Sequence, residues 1–130
     1  MTDAAQKIRA MIVDDDSIMR ELISYKLTQL NVDVVGEAEN GVDAISEFER
    51  LNPDLVLLDI QIPKKNGLQV LKTIIEMNPK ARVVMLTANS DTNVAQSCIH
   101  QGALDFINKS VGLGDFDKTL TPILKPIDVG

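Results

Sequence analysis

Five side chains able to do polar chemistry stand at or just past the ends of short β-prone runs. Asp14 and Asp15 follow Ile8 to Val13, Asp59 follows Leu55 to Leu58, Thr87 follows Val83 to Leu86, and Lys109 follows Leu104 to Ile107 with Asn108 between. Carboxylates brought close together repel one another, raise one another's pKa values and are costly unless a cation joins them. A hard divalent ion such as Mg²⁺ supplies that charge and prefers oxygen ligands. A hydroxyl and an ammonium beside such an ion suit the oxygens of a phosphoryl group. Taken singly, each residue has a plainer reading. An Asp after a strand is usually a cap or loop residue, the reading kept for Asp16; Thr87 can start a turn; Lys109 can be a solvated charge. Their joint occurrence at four run ends favours a site.

The elements that would position them can be read from apolar patterning. Leu55 to Leu58 has no polar face, as in a strand buried on both sides of a parallel sheet. Further strands are predicted at Ile8 to Val13, Val32 to Val35, Val83 to Leu86 and Leu104 to Ile107. Ile18, Met19, Leu22, Ile23, Leu27 and Leu30 recur at helical spacing over Ser17 to Leu30, with Asp16 or Ser17 as N-cap. Val42, Ala44, Ile45, Phe48 and Leu51 trace a second helix ended by Pro53, and Leu68, Leu71, Ile74 and Ile75 a third ended by Pro79. Val94, Ala95, Cys98 and Ile99 trace a fourth, closed by Gly102. Gly112 and Gly114 lead to a last stripe, Phe116, Leu120, Ile123, Leu124 and Ile127. Pro122 lies inside it and predicts a kinked or shortened helix.

Five strands alternating with five helices argue for an α/β, doubly wound parallel sheet. In such sheets ligands bind at the carboxyl ends of the strands, where the five polar residues fall. The 130 residues read as one domain, residues 1–130, with a core over about 7–125 and a frayed segment at 1–6. Hydrophobic residues at 45 % and charged residues at 25 % are ordinary for a globular chain. Nineteen acidic against thirteen basic residues give a net charge of -6, which disfavours nucleic acid and anionic membrane as direct partners. One cysteine and no membrane-length apolar segment predict a cytoplasmic protein. Cys98 reads as a small core residue and His100 as an exposed one.

Met11-Ile12-Val13-Asp14-Asp15-Asp16, Leu57-Leu58-Asp59-Ile60-Gln61-Ile62-Pro63 with Asn66-Gly67, Val84-Met85-Leu86-Thr87-Ala88, and Gly102-Ala103-Leu104-Asp105-Phe106-Ile107-Asn108-Lys109 resemble, in order and spacing, the signature blocks of response-regulator receiver domains, across roughly residues 7 to 125. The resemblance implies the flavodoxin-like fold with strand order 2-1-3-4-5. It implies Asp59 as phosphoacceptor from a sensor histidine kinase, and Mg²⁺ (Mn²⁺ as the alternative) held by Asp15, Asp59 and the Gln61 backbone carbonyl, with Asp14 acting through water. Thr87 and Lys109 would contact the phosphoryl oxygens. Inward movement of Thr87 would let Phe106 rotate and remodel the face of helix four, strand five and helix five for a downstream protein target, a phosphotransfer protein or a phosphatase. An ordinary core phenylalanine is the plainer alternative for Phe106, which has no hydroxyl and must act through packing.

The sequence departs from the family where Ser110 replaces the usual proline after the lysine. A cis peptide costs roughly 2.5–4 kcal/mol without proline, so a trans Lys109-Ser110 bond and a reshaped loop through Val111 to Gly114 are expected, with Lys109 still reaching the site. Gln61 and Asn89 stand where the family tunes acyl-phosphate lifetime, and small Ala88 leaves the acceptor open. The resemblance favours a stand-alone switch, as in chemotaxis, or a relay intermediate; a receiver portion of a longer regulator is the alternative. A dehalogenase-type phosphatase needs a second acid two residues past its nucleophile, and Gln61 stands there, so a turnover enzyme is not expected. A flavin carrier needs a phosphate-cradling loop after strand one, where Asp14, Asp15 and Asp16 would repel phosphate.

Overall fold

The computed structural model describes residues 7–64, 66–88, 92–109 and 113–124. In chain order the elements are β1 (Arg9–Val13), α1 (Ser17–Gln29), β2 (Asp33–Ala38), α2 (Gly41–Leu51), β3 (Leu55–Asp59), α3 (Gly67–Met77), β4 (Arg82–Thr87), α4 (Thr92–His100), β5 (Asp105–Asn108) and α5 (Phe116–Ile123). The strands form one parallel sheet in the order β2-β1-β3-β4-β5. The alternation, the sheet and the strand order agree with the sequence reading.

The apolar run of β3 is explained by two cores. Side chains alternate across a strand, and here Leu55 and Leu57 enter one buried cluster while Val56 and Leu58 enter the other. The first cluster also holds Ile23 and Leu27 of α1 and Phe116 and Leu120 of α5. The second holds Phe48 of α2, Leu71 and Ile74 of α3, and Ala95 and Cys98 of α4. Every residue of β3 is buried, so no position on the strand can be polar except its end.

Local signals fix the element boundaries. Asp16 caps α1 by accepting from the Ile18 and Met19 amides, Asn40 caps α2 through the Asp43 amide, and Asn66 and Gln69 form a reciprocal capping box on α3. Gly102, at φ +119°, follows α4 in the left-handed region. Helix α2 stops before Pro53 and α3 before Pro79. Pro122 lies inside α5, which ends at Ile123; Ile127 lies outside the described residues.

Three expectations are corrected. Strand β2 runs on to Ala38 beyond the Val-rich run, because Met11, Ile12 and Val13 pair with Gly36, Glu37 and Ala38 after the register passes over Val35. A Cβ at Gly36 would meet Leu51 Cδ1, so a larger residue there would require the Leu51 side chain to turn aside. On α1, Ile18 and Leu22 are 77 % and 37 % exposed. Residues 19, 23 and 27 already supply the inward stripe, and 18, 22 and 25 lie about 130° round the helix from it. Val42 and Val94, placed inward on α2 and α4, are exposed as well.

Candidate functional site

The register of the sheet collects the polar residues. Val13 pairs with Leu58 and Asp59 with Leu86, so Asp14 and Asp59 leave adjacent strands at the same level. Thr87 pairs with Asn108, and the Lys109 amide donates to the Thr87 carbonyl at 2.8 Å. Oxygens of Asp14, Asp15 and Asp59 all lie within 4.8 Å of one another. Asp14 is fully buried, Asp59 is 5 % and Thr87 2 % exposed, whereas Asp15 is open to solvent.

Lys109 answers the repulsion within this group. Its Nζ donates to Asp59 Oδ2 at 2.9 Å and to Asp14 Oδ2 at 3.0 Å. Asp59 Oδ1 accepts the Gln61 amide at 3.1 Å, and Asp14 Oδ1 the Asp16 amide at 2.9 Å. Burial pushes the Asp59 carboxyl up to about 6, and the Asp14 charge adds to the rise, while the Lys109 ammonium and the Gln61 amide pull against it. Burial alone would lower the Lys109 ammonium; hydrogen bonds and charges from Asp59 and Asp14 outweigh it and raise its pKa. One ammonium therefore does not neutralise the site.

The donor set fits a hard cation. Carboxylate oxygens at this separation suit Mg²⁺, which takes few protein ligands and keeps several waters. Asp14 and Asp59 are each engaged by Lys109 and by one backbone amide, while the Asp15 side chain is open to solvent. Beside Asp15 lies a cleft of about 550 Å³ whose apolar lining includes Ile60, Ile62, Leu68 and Val94.

The loop after Asp59 is pressed onto α3. The Gly67 amide donates to the Ile60 carbonyl at 2.8 Å, and a Cβ at Gly67 would stand 2.5 Å from the Asp59 carbonyl oxygen and 2.7 Å from Ile60 Cα. Only glycine admits that approach. Phe106 is half-buried and rests against the cluster that holds Val56 and Leu58. Asn89, Ser110 and Val111 lie outside the described residues, so the expectations attached to them have no structural counterpart here.

The sequence reading passed over Arg20 and Glu37. Arg20 Nη1 donates to the Asp14 backbone carbonyl at 2.7 Å and its Nε to Glu37 Oε1 at 2.9 Å. The available signal was positional: Arg20 lies one turn past the cap Asp16, and helical side chains lean toward the N-terminus.

Comparison with known proteins comes to the same place. The family model for the response regulator receiver domain matches residues 10–121. Protein CcdB of Bacillus subtilis is 41 % identical over 101 residues, covering 78 % of this chain and 84 % of that one. The chemotaxis protein CheY of Listeria monocytogenes is 37 % identical over 102 residues, covering 78 % and 86 %. The crystal structure of the response regulator domain of Thermotoga maritima CheB superposes with a TM-score of 0.75 at 31 % identity, covering 92 % of this chain and 91 % of that one.

Proposed function

This chain belongs to the response-regulator receiver family, and from that premise we propose that it is a CheY-like phosphoacceptor switch in which Asp59 accepts a phosphoryl group from a phosphohistidine of a sensor kinase. The observation that carries this reading is the pairing of a buried acceptor carboxylate with Lys109 inside a three-aspartate group. One Asp59 oxygen forms the new P–O bond as the P–N bond to the kinase imidazole breaks, and the imidazole keeps the electron pair. Mg²⁺, when bound, neutralises negative charge shared between the aspartates and the incoming phosphoryl oxygens.

Each residue then has a task. Asp15, Asp59 and the Gln61 backbone carbonyl would hold a divalent ion, and Asp14 would act on it through water. Lys109, already 2.9 Å from Asp59, moves its ammonium to a phosphoryl oxygen, and the Thr87 hydroxyl takes another. Thr87 is joined through its carbonyl to the Lys109 amide, so a shift of Thr87 is felt at the end of β5, and Phe106 turns inward in response. The face of α4, β5 and α5 presented to a downstream protein, a phosphotransfer protein or a phosphatase changes accordingly.

The kinase would approach over α1, where Ile18, Leu22 and Tyr25 form an exposed apolar stripe next to the acidic edge. Among the described residues no helix is long and apolar enough to cross a membrane. Autophosphorylation tests the core of the reading: wild type and Asp59→Asn are incubated with Mg²⁺ and acetyl phosphate and weighed by mass spectrometry. Wild type gains one phosphoryl group and the variant none; equal labelling of both, or labelling of neither, overturns the assignment.

A further inference from the structure

The loop that carries Asp14 and Asp15 is held by a series of hydrogen bonds. The Asp14 amide donates to the Ala38 carbonyl at 3.1 Å, the Asp16 amide to Asp14 Oδ1 at 2.9 Å, and the Arg20 amide to the Asp16 carbonyl at 3.0 Å. The Arg20 guanidinium closes the circuit. Nη1 holds the Asp14 carbonyl, and Nε is itself held by Glu37 on β2. The Arg20 side chain is only 17 % exposed, so it is fixed against the loop.

Arg20 and Lys109 differ in what they bind. Lys109 binds carboxylate oxygens of Asp14 and Asp59, the groups a metal ion or a phosphoryl group would engage, so it must shift as the site fills. Arg20 binds a backbone oxygen and a residue outside the acidic group. It can stay in place throughout. The Asp14 carbonyl belongs to the peptide unit that leads into Asp15, and Asp15 is exposed; its carboxylate is therefore aimed by its backbone.

We propose that Arg20, braced by Glu37, is a positioning residue that fixes the Asp14–Asp15 peptide and so holds the Asp15 carboxylate in place for a divalent cation. This rests on the reading of the site given under Proposed function. A guanidinium suits the task because its planar fork presents two donors at a fixed angle, one to each oxygen; a lysine ammonium has neither the plane nor the reach to keep both.

The test is Mg²⁺ affinity, measured by titration calorimetry on wild type, Arg20→Ala, Arg20→Lys and Glu37→Gln, beside the urea midpoint of each without metal. Arg20→Ala is expected to bind Mg²⁺ roughly ten-fold more weakly, the scale of losing a group that orients a ligand. Arg20→Lys restores only part of that loss, and Glu37→Gln loses less than about five-fold, since the Glu37 side chain is 44 % exposed and solvent screens its half of the pair. Acetyl phosphate labelling of Arg20→Ala is slow at limiting Mg²⁺ and recovers at excess Mg²⁺. A folded Arg20→Ala with wild-type Mg²⁺ affinity overturns the proposal; if that variant does not fold, wild-type affinity in Arg20→Lys does so. Wild type that binds Mg²⁺ but is never labelled overturns the phosphoacceptor reading alone. Wild type that binds no Mg²⁺ overturns both.

Discussion

Lys109 Nζ and Asp59 Oδ2 stand 2.9 Å apart, and the lysine reaches this position from a strand two removed from the one that carries the aspartate. The bond crosses over β4 and so reports the relative placement of the sheet's centre and its edge. It leaves the acceptor carboxyl still pushed up to about 6 by burial and by Asp14.

That displacement has a sign in stability. A carboxyl that titrates near 6 in the native state and near 3.8 otherwise makes the native state hold more protons between those values. Its contribution is therefore most favourable below about pH 4 and is lost as pH rises through 6. Asp59→Asn removes it. In metal-free buffer the variant should be more stable than wild type at pH 7.5 by on the order of 2 kcal/mol, with the difference closing toward pH 4. Urea midpoints at the two pH values give the answer; a gap that is constant with pH would show that Asp59 titrates normally.

Replacing Lys109 by Ala leaves two buried carboxylates without their shared counterion. The cost at pH 7.5 should be about 2–4 kcal/mol without metal, and smaller at pH 5, where protonation of Asp59 relieves the repulsion. The measurement is again the denaturant midpoint. An equal loss at both pH values would mean that the lysine acts through packing.

Protons and Mg²⁺ compete for Asp59 in the proposed site. Mg²⁺ affinity should be near its plateau at pH 7.5 and fall several-fold at pH 5.5, the direction set by a carboxyl protonating near 6. Calorimetric titration at the two pH values tests it, and unchanged affinity would remove Asp59 from the ligand set.

Gly67→Ala places a methyl group against backbone atoms of Asp59 and Ile60 that cannot swing aside. A loss of about 1–3 kcal/mol is expected, with displaced amide resonances at Gln61, whose N–H bonds to Asp59. Wild-type stability would show that α3 can slide away without cost.

The sheet was legible because parallel strands buried on both faces leave unbroken apolar runs, and β3 is such a run with its acid at the end. The ends of the strands, and hence Asp14, Asp59, Thr87 and Lys109, followed from it. What stayed hidden depended on pairing. The tail of β2 contains Gly36 and Glu37, poor strand formers, and it is held by its partner β1. The exposure of Ile18 and Leu22 escaped notice because α1 carries more apolar residues than one buried stripe can take. Arg20 escaped because its partner is a main-chain carbonyl, which every residue has and no sequence pattern marks. The placement of Asp15 and Asp59 around a cation is tested by the Mg²⁺ titrations above.

The two ends of the proposed signal lie in parts of the sheet with unequal resistance to opening. β3 is bonded to strands on both sides and buried throughout. β5 has four residues, a single neighbouring strand and a half-buried Phe106, whose N–H is closed off by the Asp105 carboxylate at 2.8 Å. Amide hydrogens of β3 should exchange with deuterium only when the whole molecule unfolds, and those of β5 through smaller, cheaper openings. A charge fixed on Asp59 thus finds its own strand unyielding, and deformation is channelled outward to the margin that gives way first.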